Sequence, residues 1–199
     1  MSQINLYYQT QLDTDVSLLP HQINGNIDES ILENLTKKVK GKTMAHGIVI
    51  KIHRMIDYNY GIIDKTNFMG TTVYSVKYEC LLCSPIKNLE IVCAIHNIVT
   101  GFIIGQNGPV TVAIQLNNID KNKFDVTGDT VKHIATKKII TKQDYIRVSI
   151  ININSNLGEH NIMTICKLID IANERDIERF KEDNLMISDE NFNDNSVFI

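Results

Sequence analysis

A chain of 199 residues with 43% hydrophobic side chains and a net charge of −3 is long enough to bury one or two cores, and its near-neutral balance excludes a dedicated nucleic-acid arm. The N-terminus MSQINLYYQTQLDTD has neither the positive nor the apolar region of a secretory signal, and no apolar run approaches the roughly 20 residues of a bilayer span. Four cysteines are too few for a disulfide scaffold, so a soluble, intracellular protein with reduced thiols is expected.

Charge is unevenly placed. Residues 1–84 hold eight of each sign, residues 85–171 hold nine basic and seven acidic, and residues 172–199 hold eight acidic and three basic. This divides the chain into a neutral first part, a mildly basic second part and an acidic tail.

In chain order, Ile4 to Leu19 reads as a strand ending at Leu19-Pro20. Asn26 with Glu29 three residues on forms a capping-box pattern. Ile31, Leu32, Leu35 and Val39 follow at helical spacing, and Gly41 marks the stop. Lys37, Lys38 and Lys40 suit the negative end of that helix. His46 to Ile56 reads as a strand. Asp57 to Gly70 reads as a loop, and its apolar and aromatic residues stand out because loops lie on the surface. From Val73 to Cys83, residues alternate with period two, which makes a half-buried strand. Cys80 and Cys83, three apart on a strand, point to opposite faces and cannot share a metal. The first part is thus β-α-β-loop-β.

After Pro85 the pattern changes to short strands and tight turns: Leu89 to Val99, Gly101 to Gly105, Val110 to Ile114, Asp144 to Asn154 and Asn161 to Ile169. Asn107-Gly108 is a hairpin signal. Gln115 to Lys142 reads as an irregular insertion after the third strand. Five short strands with this insertion predict a five-stranded barrel of the oligonucleotide/oligosaccharide-binding (OB) type. Ala172 to Leu185 reads as a charged helix.

The six histidines are scattered, and no nucleophile elbow, phosphate loop, zinc-protease motif or carboxylate pair is present. No catalytic residue, metal or cofactor is expected. Two stretches suggest contacts instead. The loop carries Tyr58, Tyr60, Gly61, Ile62, Ile63 and Phe68 with few charges. Lys121, Lys123, Lys132, Lys137, Lys138, Lys142 and Arg147 face only three acidic residues over the same span, and with Phe102 they form a candidate single-stranded RNA surface.

The order of these features resembles the family of the seventh-largest subunit of eukaryotic RNA polymerase II and its counterpart in archaeal RNA polymerase, over about residues 4–171. The stretch Val76-Lys77-Tyr78-Glu79-Cys80-Leu81-Leu82-Cys83-Ser84-Pro85 carries the resemblance most specifically. Leu18-Leu19-Pro20, Gly61-Ile62-Ile63, Gly101-Phe102 and Gly108-Pro109 add to it. The resemblance implies an α+β chain with three parts: a truncated ribonucleoprotein-like β-α-β domain over 1–84 that docks on core polymerase, an OB-type barrel over 85–171 and an acidic tail over 172–199. It implies a non-catalytic stalk subunit beside the RNA exit channel. Its partners would be core subunits, a small helical stalk partner and, weakly, nascent RNA, with no membrane contact. Location would be the nucleus for a cellular protein, or the cytoplasm or virion for one encoded by a large DNA virus. Three departures stand out. The tip loop lacks the family's arginine and proline, Thr100 replaces a histidine before Gly101-Phe102, and the acidic tail has no counterpart. The competing expectation is a free-standing OB-fold RNA-binding protein of translation or RNA decay, which has no need of an uncharged first domain with an apolar tip.

Overall fold

A computed structural model describes residues 5–63, 69–128 and 130–188. The chain forms two units: residues 7–84, and residues 85–188 together with Asn5 and Leu6. Among the described residues no helix is long and apolar enough to cross a membrane.

The first unit runs β1 (Tyr7–Leu18), a 3-10 turn (Pro20–Gln22), α1 (Ile27–Val39), β2 (Thr43–Met44), β3 (Gly47–Tyr58), β4 (Ile62–Ile63) and β5 (Thr72–Cys83). The strands form one sheet in the order β1-β5-β3-β2, with β4 also pairing β5. Central β5 shows the expected alternation. Tyr74, Val76, Tyr78, Cys80 and Leu82 are buried in the core with Ile31, Leu35 and Val39 of α1, whereas Ser75 and Lys77 of the other face are exposed. Each fully buried aliphatic of α1 contributes about 2 kcal/mol of burial, which holds the helix on the sheet. The opposite face carries cross-strand charge, with Arg54 Nε 2.7 Å from Glu79 Oε2. Cys80 and Cys83 lie on opposite faces of β5, as period two requires.

Two details of this unit differ from the sequence reading. Asn26 precedes α1 without capping a backbone amide; its Nδ2 donates to Glu29 Oε2 at 3.3 Å instead. The stretch from Asp57 to Gly70 is not wholly loop. β3 continues to Tyr58, and Ile62 and Ile63 pair with Val73 and Thr72.

The second unit runs β6 (Glu90–Val99), β7 (Phe102–Asn107), β8 (Val110–Gln115), a 3-10 turn (Leu116–Asn118), β9 (Phe124–Thr127), β10 (Thr130–His133), β11 (Tyr145–Asn154), β12 (Ile162–Ile171) and α2 (Glu174–Ser188). Five strands close a barrel in the order β11-β12-β8-β7-β6. The β8–β12 pairing is parallel and the other pairings are antiparallel. This order is compatible with an OB-type barrel. Inward residues such as Ile95, Ile103, Val112, Ile114, Val148, Ile150 and Leu168 are buried and alternate with outward ones.

Here too two expectations need correction. The β7–β8 turn is Gly108-Pro109 rather than Asn107-Gly108. Asn107 pairs with Val110, and Gly108 takes φ +53, a first-position left-handed residue of the type II′ kind. Asn107 is held inside by its Nδ2 donating to Val92 O at 2.7 Å. The insertion is ordered rather than irregular: β9 and β10 form a hairpin, and Ile119, Phe124, Val131 and Ile140 of the insertion are buried.

Candidate functional site

The first candidate surface is the tip of the first unit. Past Tyr58 the chain leaves β3 and is pinned to β5 by Asn59. Its amide donates to Ser75 O at 3.1 Å, and its Oδ1 accepts from the Ser75 amide at 2.7 Å. Gly61 then passes so close to β5 that a Cβ there would sit 2.3 Å from Thr72 Cγ2 and 2.5 Å from Tyr74 Cζ. Only glycine permits this approach. The return pairing beyond Gly61 leaves Tyr60 96%, Ile62 64% and Ile63 58% exposed, with Met69 at 78%. These side chains do nothing for the core, and large exposed apolar groups set together mark contact surfaces.

Tyr58 has a different part. Its hydroxyl donates to Asp28 Oδ1 at 2.5 Å, and its ring meets Tyr74 edge-on with centroids 6.0 Å apart. The hydrogen bond to the Asp28 carboxylate raises the phenol's pKa above its ordinary value. Tyr58 therefore braces β3 against α1 beneath the tip. Phe68 lies outside the described residues. Met69, which the sequence reading did not single out, is exposed on the same stretch of sequence.

The second candidate surface is the barrel end that bears the insertion. Phe102 opens β7 at 40% exposure and pairs with Val99, which is also exposed, and with Gln115. The Leu116 amide donates to Gly101 O at 3.0 Å, which ties the start of the insertion to the Phe102 turn. The β8–β12 pairing ends at Ile114 with Cys166, so Gln115 and Lys167 come next side by side. Lys167 shares a shallow surface with Lys121, Asp120 and Ile151. Lys167 escaped the sequence reading because it stands on a strand outside the lysine-rich span.

The predicted cations separate into groups. Lys121, Lys132, Lys137 and Lys142 are exposed and make no ion pair with any described residue. Lys123 is bound to Asp170 at 3.2 Å and to Ile169 O at 3.3 Å. Lys138 is bound to Asp144 at 2.6 Å. Burial pushes the Asp144 carboxyl up, but hydrogen bonds from Lys138 and from the Thr141 amide and hydroxyl outweigh it, leaving its pKa below the ordinary value. At Asp170 burial is likewise outweighed, by the Ile171 amide, Lys123 and His133, whose Nε2 lies 3.4 Å away. These two lysines latch the insertion to the barrel. Arg147 lines a cavity of about 200 Å³ among Glu90, Asp176 and Asp183; its Nε is buried without a hydrogen-bond partner and lies 3.8 Å from Glu90 Oε2. Carboxylates crowd it, so it adds little to a phosphate-binding surface.

The four cysteines are free and buried. Burial pushes the Cys80 thiol up to about 11 and the Cys83 thiol to about 12, and raises those of Cys93 and Cys166 as well. None is a thiolate near neutrality, the form that ligates metals or attacks electrophiles. Among the described residues, no group of three His, Cys, Asp or Glu side chains could hold a metal ion.

The chain matches no protein-family model. Individual proteins do match. "Putative DNA-directed RNA polymerase subunit L376" of Acanthamoeba polyphaga mimivirus is 51% identical over 199 residues, covering 100% of both chains. DNA-directed RNA polymerase II subunit 7 of Arabidopsis thaliana is 27% identical over 152 residues, or 73% of this chain and 84% of that one. DNA-directed RNA polymerase II subunit RPB7 of Glycine max is 26% identical over the same length and shares.

Proposed function

This chain belongs to the family of DNA-directed RNA polymerase subunits that includes polymerase II subunit 7, and from that premise we propose that it is a non-catalytic stalk subunit anchored to the core enzyme through the tip of its first unit. The observation that carries this reading is the exposed set Tyr60, Ile62 and Ile63 around the close passage of Gly61, with Met69 also exposed on the same stretch of sequence. Buried aromatic and aliphatic anchors dominate protein interfaces, often at about 2 kcal/mol or more each. Tyr58 and Gly61 act as positioning residues behind those anchors.

Residues 1–84 then serve as a truncated ribonucleoprotein-like docking domain and residues 85–171 as an OB-type domain beside the RNA exit channel, followed by the acidic segment 172–199. Emerging single-stranded RNA meets the barrel end at Phe102, Lys121, Lys132, Lys137 and Lys142, with Lys167 added. This contact is weak, salt-sensitive and indifferent to sequence, because it rests on charge and one stacking ring. The 51% identity to a mimivirus protein favours the polymerase of a large DNA virus.

Purification of the tagged full chain from cells that express it tests the reading. Recovery as a stoichiometric member of a large polymerase is the expected result. A lone monomer migrating with RNA would favour the free-standing RNA-binding alternative and overturn the stalk role.

A further inference from the structure

The barrel end carries exposed side chains in one row across four adjacent strands, and their chemistry changes stepwise along it. Val99 closes β6 and pairs with Phe102, the first residue of β7. Phe102 pairs in turn with Gln115 at the end of β8. The parallel β8–β12 register, which matches Ile114 with Cys166, places Lys167 beside Gln115. Ile103, Ile114 and Cys166, their neighbours in sequence, are buried, so period two turns Phe102, Gln115 and Lys167 to the outer face. Val99 and Phe102 are 39% and 40% exposed, and Gln115 and Lys167 are exposed as well. The row therefore runs apolar, aromatic, carboxamide, ammonium.

This series follows the build of one nucleotide. A base stacks on the ring of Phe102, and Val99 widens the apolar floor beneath it. A phosphate goes to Lys167, with Lys121 beside it on the same shallow surface for the next one. Neighbouring strands lie about 4.8 Å apart, so the Phe102 and Lys167 positions are about 10 Å apart and Gln115 stands midway. Between base and phosphate lies the sugar. Stacking and charge do not distinguish sugars, since DNA offers equivalent bases and the same phosphates. The 2′-hydroxyl, donor and acceptor at once, is the group that tells RNA from DNA. A carboxamide has N–H donors and an acceptor oxygen, so Gln115 can both give and take a hydrogen bond. Phe102 can do neither, and Lys167 only gives. Asp120 of the shallow surface is engaged in its own turn, where its carboxylate accepts from the Asn122 amide at 3.0 Å.

We propose that Gln115 hydrogen-bonds the ribose 2′-hydroxyl of the nucleotide stacked on Phe102, so that the barrel end selects single-stranded RNA over single-stranded DNA; this role rests on the reading that the barrel end meets emerging RNA. Selection is by sugar and not by base. It lets a weak, sequence-indifferent surface hold the transcript in preference to an unpaired DNA strand.

The test compares binding of the full-length chain to a single-stranded oligouridine and to its 2′-deoxyuridine counterpart of equal length, at low salt. One added hydrogen bond predicts about fivefold tighter binding of the RNA. Gln115→Leu, close in bulk and at an exposed position, should bring RNA binding down to the level of the deoxy strand. It should leave the deoxy strand and the salt slope unchanged. Gln115→Asn, shorter by one methylene, should lose most of the preference too. By contrast, Phe102→Ala should weaken both strands alike, and Lys167→Gln should weaken both and lower the salt slope. Equal binding of the two strands by the wild-type chain overturns the role of Gln115 and leaves nucleic-acid binding at the barrel end in place. An RNA preference that survives both Gln115 variants overturns it as well, as does equal weakening of both strands in Gln115→Leu. Binding of neither strand by the wild-type chain sinks the RNA reading of the barrel end, and this role with it.

Discussion

The tip and the barrel end are both exposed surfaces rich in the residues binding sites use, yet they differ in how much the fold itself consumes. At the tip, Tyr60, Ile62, Ile63 and Met69 make no contribution to a core, and the local structure, through Asn59 and Gly61, works to keep them out. At the barrel end, Lys123 and Lys138 are already committed to Asp170 and Asp144, and Arg147 sits among carboxylates. An apolar group on a surface is therefore a sharper sign of a partner than a charged one. Charges find partners within their own chain, whereas a large apolar side chain left exposed gains its burial only from a partner.

Among single substitutions, the largest effect on that contrast should come from Gly61→Val. The added side chain would collide with Thr72 and Tyr74, so the β4–β5 pairing must open and Tyr60, Ile62 and Ile63 lose their fixed places. Core binding should fall roughly a hundredfold, the equivalent of losing more than one anchor, with hydrogen exchange showing the opening confined to the tip. Full core affinity in this variant would mean the tip geometry is irrelevant to docking.

Next in size is Phe102→Ala. A stacked base contributes about 1–3 kcal/mol, so binding of a short single-stranded RNA at low salt should drop by about fivefold or more. Unchanged binding would return Phe102 to the role of a half-exposed barrel-rim residue. Smaller again is the joint change of Lys121, Lys137 and Lys142 to Gln. It should lower the slope of log affinity against log salt by about 2, at roughly 0.7 per charge for single strands. The same change at Lys123 and Lys138 should alter the slope less and loosen the insertion more, which distinguishes free from committed lysines.

The smallest effect is on acid stability. Asp144 and Asp170 titrate below their ordinary value of 3.8, so the fold favours their ionised forms. That contribution is complete above the ordinary value and is lost as pH falls through the lower folded values. Both groups are partly solvated, so the loss is modest. Amide exchange at Val131 and Ile140 should quicken below pH 3.8 before the barrel strands respond. Simultaneous loss in barrel and insertion would show that these ion pairs do not act as a latch.

How much could be read from the residues depends on the range of the forces involved. β5 was legible because every second residue from Tyr74 to Leu82 enters one core, a pattern written over nine neighbouring positions. α1 and the five barrel strands were legible for the same reason. β9 and β10 were not. FDVT and TVKH are too short to show a period, and their order comes from pairing with each other and from the burial of Phe124 and Val131. β4 is two isoleucines whose pairing is set by tertiary closure onto Thr72 and Val73. At the site, the apolar tip was visible as composition, but Tyr58 was not separable from Tyr60. Its partner Asp28 lies thirty positions away on α1, and nothing local records that contact. Lys123 could not be told from Lys121 for the same reason, since Asp170 is on β12.

The docking role of the tip is tested most directly by the affinity of the full-length Tyr60→Ala, Ile63→Ala chain for core polymerase lacking this subunit, measured with its thermal unfolding as a control. Both side chains are exposed, so the melting temperature should stay close to wild type. Two anchors at about 2 kcal/mol each predict a loss of affinity of roughly a thousandfold. Retention of wild-type affinity by the folded variant would contradict the account, because the most exposed apolar surface of the first unit would then have no part in holding the subunit to its polymerase.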